Sequence, residues 1–301
     1  MEGEGTLKRL KSPRKLGRWL LLGAASALLL TGCSPQQFSV LNPAGPVASS
    51  ELQLIILSGV LVLVVVAFVI VLLAFIVGRY REKPNNNAPY TPEWSESRSL
   101  EIIWWAIPIV IVVVLGIFTG IKTFSLTRPP EATSNPMIVQ VQSLDWKWLF
   151  QYPGQKIATL NYLEIPTGQP IEFVLTSNAP MNSFWIPQLG GMEMTMPGMQ
   201  MRLWLQADKT GVYEGRGANF TGTGFAHMTF NVKAVPMATF TQWVSQVQSS
   251  KPALTNAEYQ TLVKPGLAGV KEYSSYPANL FMKVVMKDNG GQKPMGLNGG
   301  M

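Results

Sequence analysis

The chain has 301 residues, 47% hydrophobic and only 14% charged, with one Cys and one His. That balance favours a membrane-anchored protein with one sizeable folded domain, and a single Cys excludes an internal disulfide or a Cys-based structural zinc site. The formal charge of +7 does not mark a nucleic-acid binder: six basic residues and two acids fall within the first 32 residues, which leaves +3, and no basic stripe with interleaved aromatics follows.

Residues 1–32 read as a secretory signal. Lys8, Arg9, Lys11, Arg14, Lys15 and Arg18 precede the apolar run from Trp19 to Leu30. The run ends in Leu30-Thr31-Gly32-Cys33, a match to the bacterial lipobox, so Cys33 is expected to be the lipidated first residue of the mature chain. Ser34 to Ser50 is polar and carries Pro35, Pro43 and Pro46, which predicts an extended linker.

Leu54 to Gly78 has no charge and exceeds the roughly 20 residues needed to cross a bilayer core. Ile102 to Ile121 is a second uncharged span, with Pro108 predicting a bend. The short loop between them carries Arg79, Arg81, Lys83 and Arg98, which puts it in the cytoplasm. Cys33 and everything after about Thr123 are then extracytoplasmic.

Arg128 to Pro136 is a Pro-rich connector. From Met137 to Val235 short apolar runs alternate with turns, notably Ile138–Leu144, Ile171–Thr176, Met201–Leu205 and Thr229–Val235. Many short strands at this spacing argue for a β-sandwich of about a hundred residues. Tyr213 to Met228 reads as a glycine-rich loop closing it, with Gly211, Gly215, Gly217, Gly222 and Gly224 allowing positive φ or close backbone approach. Met192, Met194 and Met196, at alternate positions, would share one strand face as apolar filler rather than bind Cu(I). His227 reads as a loop or strand residue without a metal. A short amphipathic helix is expected over Phe240–Val247 with Trp243 on its apolar side. Beyond Ser249 the pattern is weak, and Asp288 onward has the composition of a disordered end.

Several motifs, in order, resemble subunit II of the haem-copper oxidases. Members fed by cytochrome c carry Cys-x-Glu-x-Cys-x-x-x-His-x-x-Met in the closing loop, with one more His upstream in His-Ser-Phe/Trp-x-x-Pro, and hold a dinuclear copper centre. Laid on this chain, the Cys positions are Gly217 and Thr221, the Glu is Asn219, the loop His is Phe225, and Met228 is retained. The upstream His is Asn182 of Asn182-Ser183-Phe184-Trp185-Ile186-Pro187. Two bridging thiolates and imidazoles are what such a centre requires, and one Cys with one His cannot supply them.

The resemblance therefore implies the copper-free branch: subunit II of a quinol oxidase, with a two-helix membrane hairpin and a cupredoxin-like sandwich. The segment Leu41–Ala48 is similar to the one quinol-oxidase subunits carry before their first helix. Glu101-Ile-Ile-Trp104-Trp105-Ala-Ile-Pro108 resembles Glu-x-x-Trp-Thr-x-x-Pro, with Trp105 in the Thr position. The matching Glu lies at a proton entrance of subunit I, so Glu101 is the candidate proton-entry residue; its alternative role is a helix-start acid. Asp145-Trp146-Lys147-Trp148 resembles the family's aromatic electron-entry patch, and here is expected to serve packing. The resemblance implies no cofactor or metal in this subunit. Haems and copper are expected in subunit I, which with smaller membrane subunits and the membrane itself makes up the partners; quinol is the substrate of the complex. The division expected is 1–32 signal, 33–125 linker and hairpin, 126–247 sandwich, and 248–301 a partly disordered tail. Two other readings compete: a cytochrome c oxidase subunit II, and a free-standing lipid-anchored cupredoxin-like binding or assembly protein.

Overall fold

The computed structural model describes residues 38–82, 84, 86–89, 91–129 and 136–288. Cys33 and the expected signal lie outside these residues. The chain divides at Asn42 into two units, and of the first only Phe38–Asn42 is described, a single 3-10 turn over Ser39–Leu41.

Two long helices follow, α1 (Pro46–Tyr80) and α2 (Arg98–Leu126), both long and apolar enough to cross a membrane. Helix α1 starts earlier than the linker expectation allowed. Pro46 is the reason: at the first helical position its missing N–H would have had no partner anyway, so it opens the helix and does not break the chain. Helix α2 runs without interruption through Pro108.

Among the described residues the sandwich has eleven strands. They are β1 (Met137–Leu144), β2 (Lys147–Tyr152), β3 (Ile157–Leu160), β4 (Tyr162–Pro166), β5 (Ile171–Ser177), β6 (Asn182–Trp185), β7 (Glu193–Thr195), β8 (Met201–Leu205), β9 (Gly211–Gly217), β10 (Thr229–Val235) and β11 (Lys271–Tyr273). One sheet has the order β11-β3-β2-β1-β5-β8, the other β4-β10-β9-β6-β7. The chain changes sheets at Asn161, which sits at φ 55°, a conformation Asn tolerates. Its side chain secures the corner by accepting from the Trp148 N–H at 2.8 Å and donating to the Ala268 carbonyl at 2.8 Å.

The inner faces bury Trp148, Phe150, Phe173, Phe184 and Phe230. Phe184 and Phe230 stack at 5.3 Å, and Trp148 meets both edge-on. Helix α3 (Met237–Ser250) closes one end of this core with Phe240, Val244 and Val247. It matches the expected helix and extends past it at both ends.

The tail departs from expectation. Helix α4 (Asn256–Val263) and helix α5 (Leu280–Asp288) fold onto the outer face of the first sheet, and β11 extends that sheet by pairing with the edge of β3. Leu254, Tyr259, Leu262, Tyr273, Leu280 and Val284 pack there on Leu144, Leu149, Ala158 and Leu160. Thr255 caps α4 by accepting from the Glu258 N–H. Beneath it the Tyr259 hydroxyl donates to Gln142 at 2.8 Å and accepts from Asn178 at 2.9 Å. Residues 289–301 lie outside the described residues.

Helix α1 is seated on the sandwich through its first turns. Ala44, Val47 and Ala48 are buried. The Ala44 N–H donates to Gln188, the Ala48 N–H to Leu189, and the Asp208 N–H to Ala44. A Cβ on Gly45 would fall 1.9 Å from the Gln206 carbonyl oxygen, so only Gly fits this approach.

Candidate functional site

The loop from Gly217 to Met228 joins β9 to β10 over the end of the core. Gly217 pairs with Phe184 across β6 and β9, which brings Asn182, two residues earlier on the same inner face, under the loop. The Gly217 N–H donates to the Met228 carbonyl at 3.0 Å, and the Trp148 indole N–H donates to the same oxygen at 3.3 Å. Asn182 and Met228 are both buried, and the Asn182 amide Nδ2 donates to Met228 Sδ at 2.8 Å. A Cβ on Gly217 would come within 2.9 Å of Asn182 Oδ1. Three of the positions matched to copper ligands therefore converge.

The other three, Asn219, Thr221 and Phe225, are half-buried in the loop itself. Asn219 Nδ2 donates to the Met181 carbonyl at 3.0 Å. The Thr221 carbonyl accepts from the Trp146 indole, while its hydroxyl is buried without a partner among the described residues. Phe225 sits in a 3-10 turn, Phe225–His227, with its ring edge-on to Phe220 at 5.7 Å. His227 is exposed in that turn. The donors gathered at the core end are a carboxamide and one thioether, with no thiolate and no imidazole. A dinuclear copper centre needs bridging thiolates, so these residues do not fit one.

Most of the loop glycines answer close approach. Of the five named from sequence only Gly222 has positive φ, 119°. A Cβ on Gly224 would meet the Trp146 ring at 2.2 Å, and one on Gly215 the Phe230 ring at 2.1 Å. Gly217 lacks positive φ, so a side chain there carries no left-handed strain.

The Asp145–Trp148 patch is built into the packing. Trp148 is core, and Trp146 lies half-buried beneath the loop. Lys147 is buried, and its ammonium donates to the carbonyls of Asp145, Lys264 and Gly266 at 3.0, 2.9 and 2.7 Å. Burial pushes its pKa below the usual lysine value, the Asp145 carboxylate opposing the shift. The ammonium ties the folded tail to the patch, a partnership with no local sequence signal.

Glu101 occupies the first turn of α2, where its N–H donates to the Ser97 carbonyl at 2.9 Å. Its side chain is exposed, and Trp104 and Trp105 just beyond are each 62% exposed. The methionine run differs from expectation. Strand β7 covers only Glu193–Thr195, and Met192 is exposed while Met194 and Met196 are half-buried, so Met192 is not apolar filler.

Two family models match the chain, the transmembrane domain of cytochrome c oxidase subunit II over residues 37–120 and its periplasmic domain over residues 150–235. Quinol oxidase subunit 2 of Bacillus cereus is 47% identical over 258 residues, 85% of this chain and 88% of that one. Quinol oxidase subunit 2 of Bacillus subtilis is 46% identical over 240 residues, 79% and 74% of the two chains. Cytochrome bo(3) ubiquinol oxidase subunit 2 of Pseudomonas putida is 39% identical over 287 residues, 94% and 89% of the two. With two apolar helices ahead of a cupredoxin-like sandwich, and relatives matched along most of their length, this chain belongs to the quinol oxidase subunit II family: it is a membrane protein with an extracytoplasmic domain and a subunit of a respiratory oxidoreductase complex.

Proposed function

We propose that this chain is the copper-free, non-catalytic subunit of a proton-pumping complex that oxidises quinol and reduces dioxygen to water. The observation that carries the proposal is the Asn182–Met228 hydrogen bond, which joins two former ligand positions to each other at the core end of the loop. A carboxamide N–H directed at the thioether uses the sulfur as an acceptor and leaves no anionic donor to hold copper. Quinol is dissolved in the bilayer, so its electrons need no relay on the water side. The loop can keep its backbone and lose its donors.

Haems, active-site copper and dioxygen chemistry belong to subunit I, with smaller membrane subunits completing the complex. This chain contributes the hairpin, the sandwich above it and Glu101. A carboxylate at the cytoplasmic start of α2 attracts protons and hands them on to the proton entrance of subunit I. Cys33, lipidated, adds an anchor to the two helices.

The test is the metal content and donor preference of the purified complex after loosely held metal is removed with a chelator. Copper is expected only in the amount that the haem-copper centre of subunit I accounts for. Quinol is expected to be oxidised and reduced cytochrome c left unused. Two additional copper ions with thiolate-to-copper absorption, or turnover with cytochrome c, would overturn the proposal.

A further inference from the structure

The β6–β7 hairpin carries methionines on its outer face. Its register pairs Asn182 with Thr195, Ser183 with Met194 and Phe184 with Glu193. Asn182, Phe184 and Thr195 are buried and point inward, Asn182 to Met228 and Thr195 to the Ser143 hydroxyl. Alternation therefore turns Met181, Ser183 and Trp185 to the opposite face on one strand, with Ser183 itself buried there, and Met192, Met194 and Met196 to that face on the other. Met181 precedes Asn182 as Met196 follows Thr195, so the same register sets these two across from one another. Opposed residues of an antiparallel pair have Cβ atoms about 5 Å apart. Met194 Sδ accepts from the Ser183 hydroxyl at 3.0 Å, which fixes its thioether over the same patch.

We propose that Met181, Met194 and Met196 form a surface site for Cu(I), separate from the loop over Asn182 and Met228. Three points carry it. The side chains are accessible: Met181 is 43% and Met192 50% exposed, and Met194 and Met196 are half-buried. The backbone under them is held, by Asn219 donating to the Met181 carbonyl and Thr176 to the Met196 carbonyl. Thioethers are soft, uncharged donors, and among biological metals a cluster of them selects Cu(I) over the harder divalent ions. The sulfur of Met194 has a second lone pair for the metal, and the Ser183 hydroxyl can rotate without losing its place. Met192, two residues along on the same face, is available as a fourth donor. Binding transfers no electron and releases no proton, because thioethers do not titrate.

The test is anaerobic competition for Cu(I) between bicinchoninate and the purified oxidase complex, with copper and haem counted before and after. The complex is expected to withdraw one Cu(I) beyond its resident copper, without colour. Met194→Leu and Met196→Leu, made separately, keep the apolar surface and nearly the volume. Each should weaken uptake at least tenfold, whereas Met237→Leu, at the exposed start of α3, should leave it unchanged. No withdrawal of Cu(I), or withdrawal equal in the wild type and both hairpin variants, would overturn the proposal. Met181→Leu supplies the same comparison from the other strand if one of these variants does not assemble.

Discussion

Replacing Gly45 by Ala tests whether helix α1 is locked onto the sandwich. Gly45 has an extended backbone, φ −150° and ψ 171°, which Ala adopts freely, so the effect is purely steric. The new Cβ would lie 1.9 Å from the Gln206 carbonyl oxygen, where contacts under 3.0 Å are essentially never seen. Neither backbone can yield alone, because the Ala44 N–H is bonded to Gln188 at 2.8 Å and the Asp208 N–H to Ala44 at 2.8 Å. The relief available is to undock Pro43–Ser49. That exposes Val47, costing about 1.5–3 kcal/mol, and Ala44 and Ala48, about 0.8 kcal/mol each. A loss of about 3–5 kcal/mol shifts the docking equilibrium by on the order of a hundredfold or more. Hydrogen exchange on the full-length chain reads this directly. The amides of Ala44, Ala48 and Asp208 should lose protection in Gly45→Ala by that factor. Gly154→Ala, where a Cβ meets nothing within 4 Å, should leave them unchanged. Unaltered protection in a folded Gly45→Ala chain would refute the seating of the helix.

Restoring the ligand types should restore copper binding: Asn182→His, Gly217→Cys, Thr221→Cys and Phe225→His in the full-length chain are expected to bind two copper ions with thiolate-to-copper absorption. Gly217→Cys alone should displace the Asn182 carboxamide, since its Cβ would press on Asn182 Oδ1 at 2.9 Å; a folded fourfold variant that takes up no copper would mean the positions do not converge on loading. Glu101→Ala is expected to slow quinol-dependent oxygen uptake per haem without preventing assembly, and turnover equal to wild type across pH would reduce Glu101 to a helix-start acid. Intact-mass measurement of the mature subunit should give a chain beginning at a lipidated Cys33; an unmodified Cys33 or a start at Met1 would contradict the anchor.

The elements legible in the sequence are those whose cause is local. Twenty or more uncharged residues can only be a span or a buried helix, and Leu54–Gly78 and Ile102–Ile121 lie inside α1 and α2. Alternation over Ile138–Leu144, Ile171–Thr176, Met201–Leu205 and Thr229–Val235 fixes strands, because period two is a property of the strand itself. That no Cys or His occupies the positions matched to copper ligands was equally plain, since it depends only on which residue types are present.

What the tertiary structure decided depends on partners distant in sequence. Gln142 and Gln151 on β1 and β2 are the polar residues expected of a solvated sheet face, yet both are buried. The tail covers them, and its cue was too weak to read: α4 and α5 are only eight and nine residues long. Their stability comes from packing on Leu144, Leu149 and Leu160, far earlier in the chain. Gly45, Gly215 and Gly224 are Gly because Gln206, Phe230 and Trp146 leave no room for a Cβ. The Asn182–Met228 bond spans 46 residues and exists only because β6 and β9 pair beneath the loop. Strand register, a product of the whole sandwich, likewise sets Met181 across from Met196 on the outer face of β6 and β7. Short-range pattern sets which element a residue belongs to, and long-range packing sets what that residue faces.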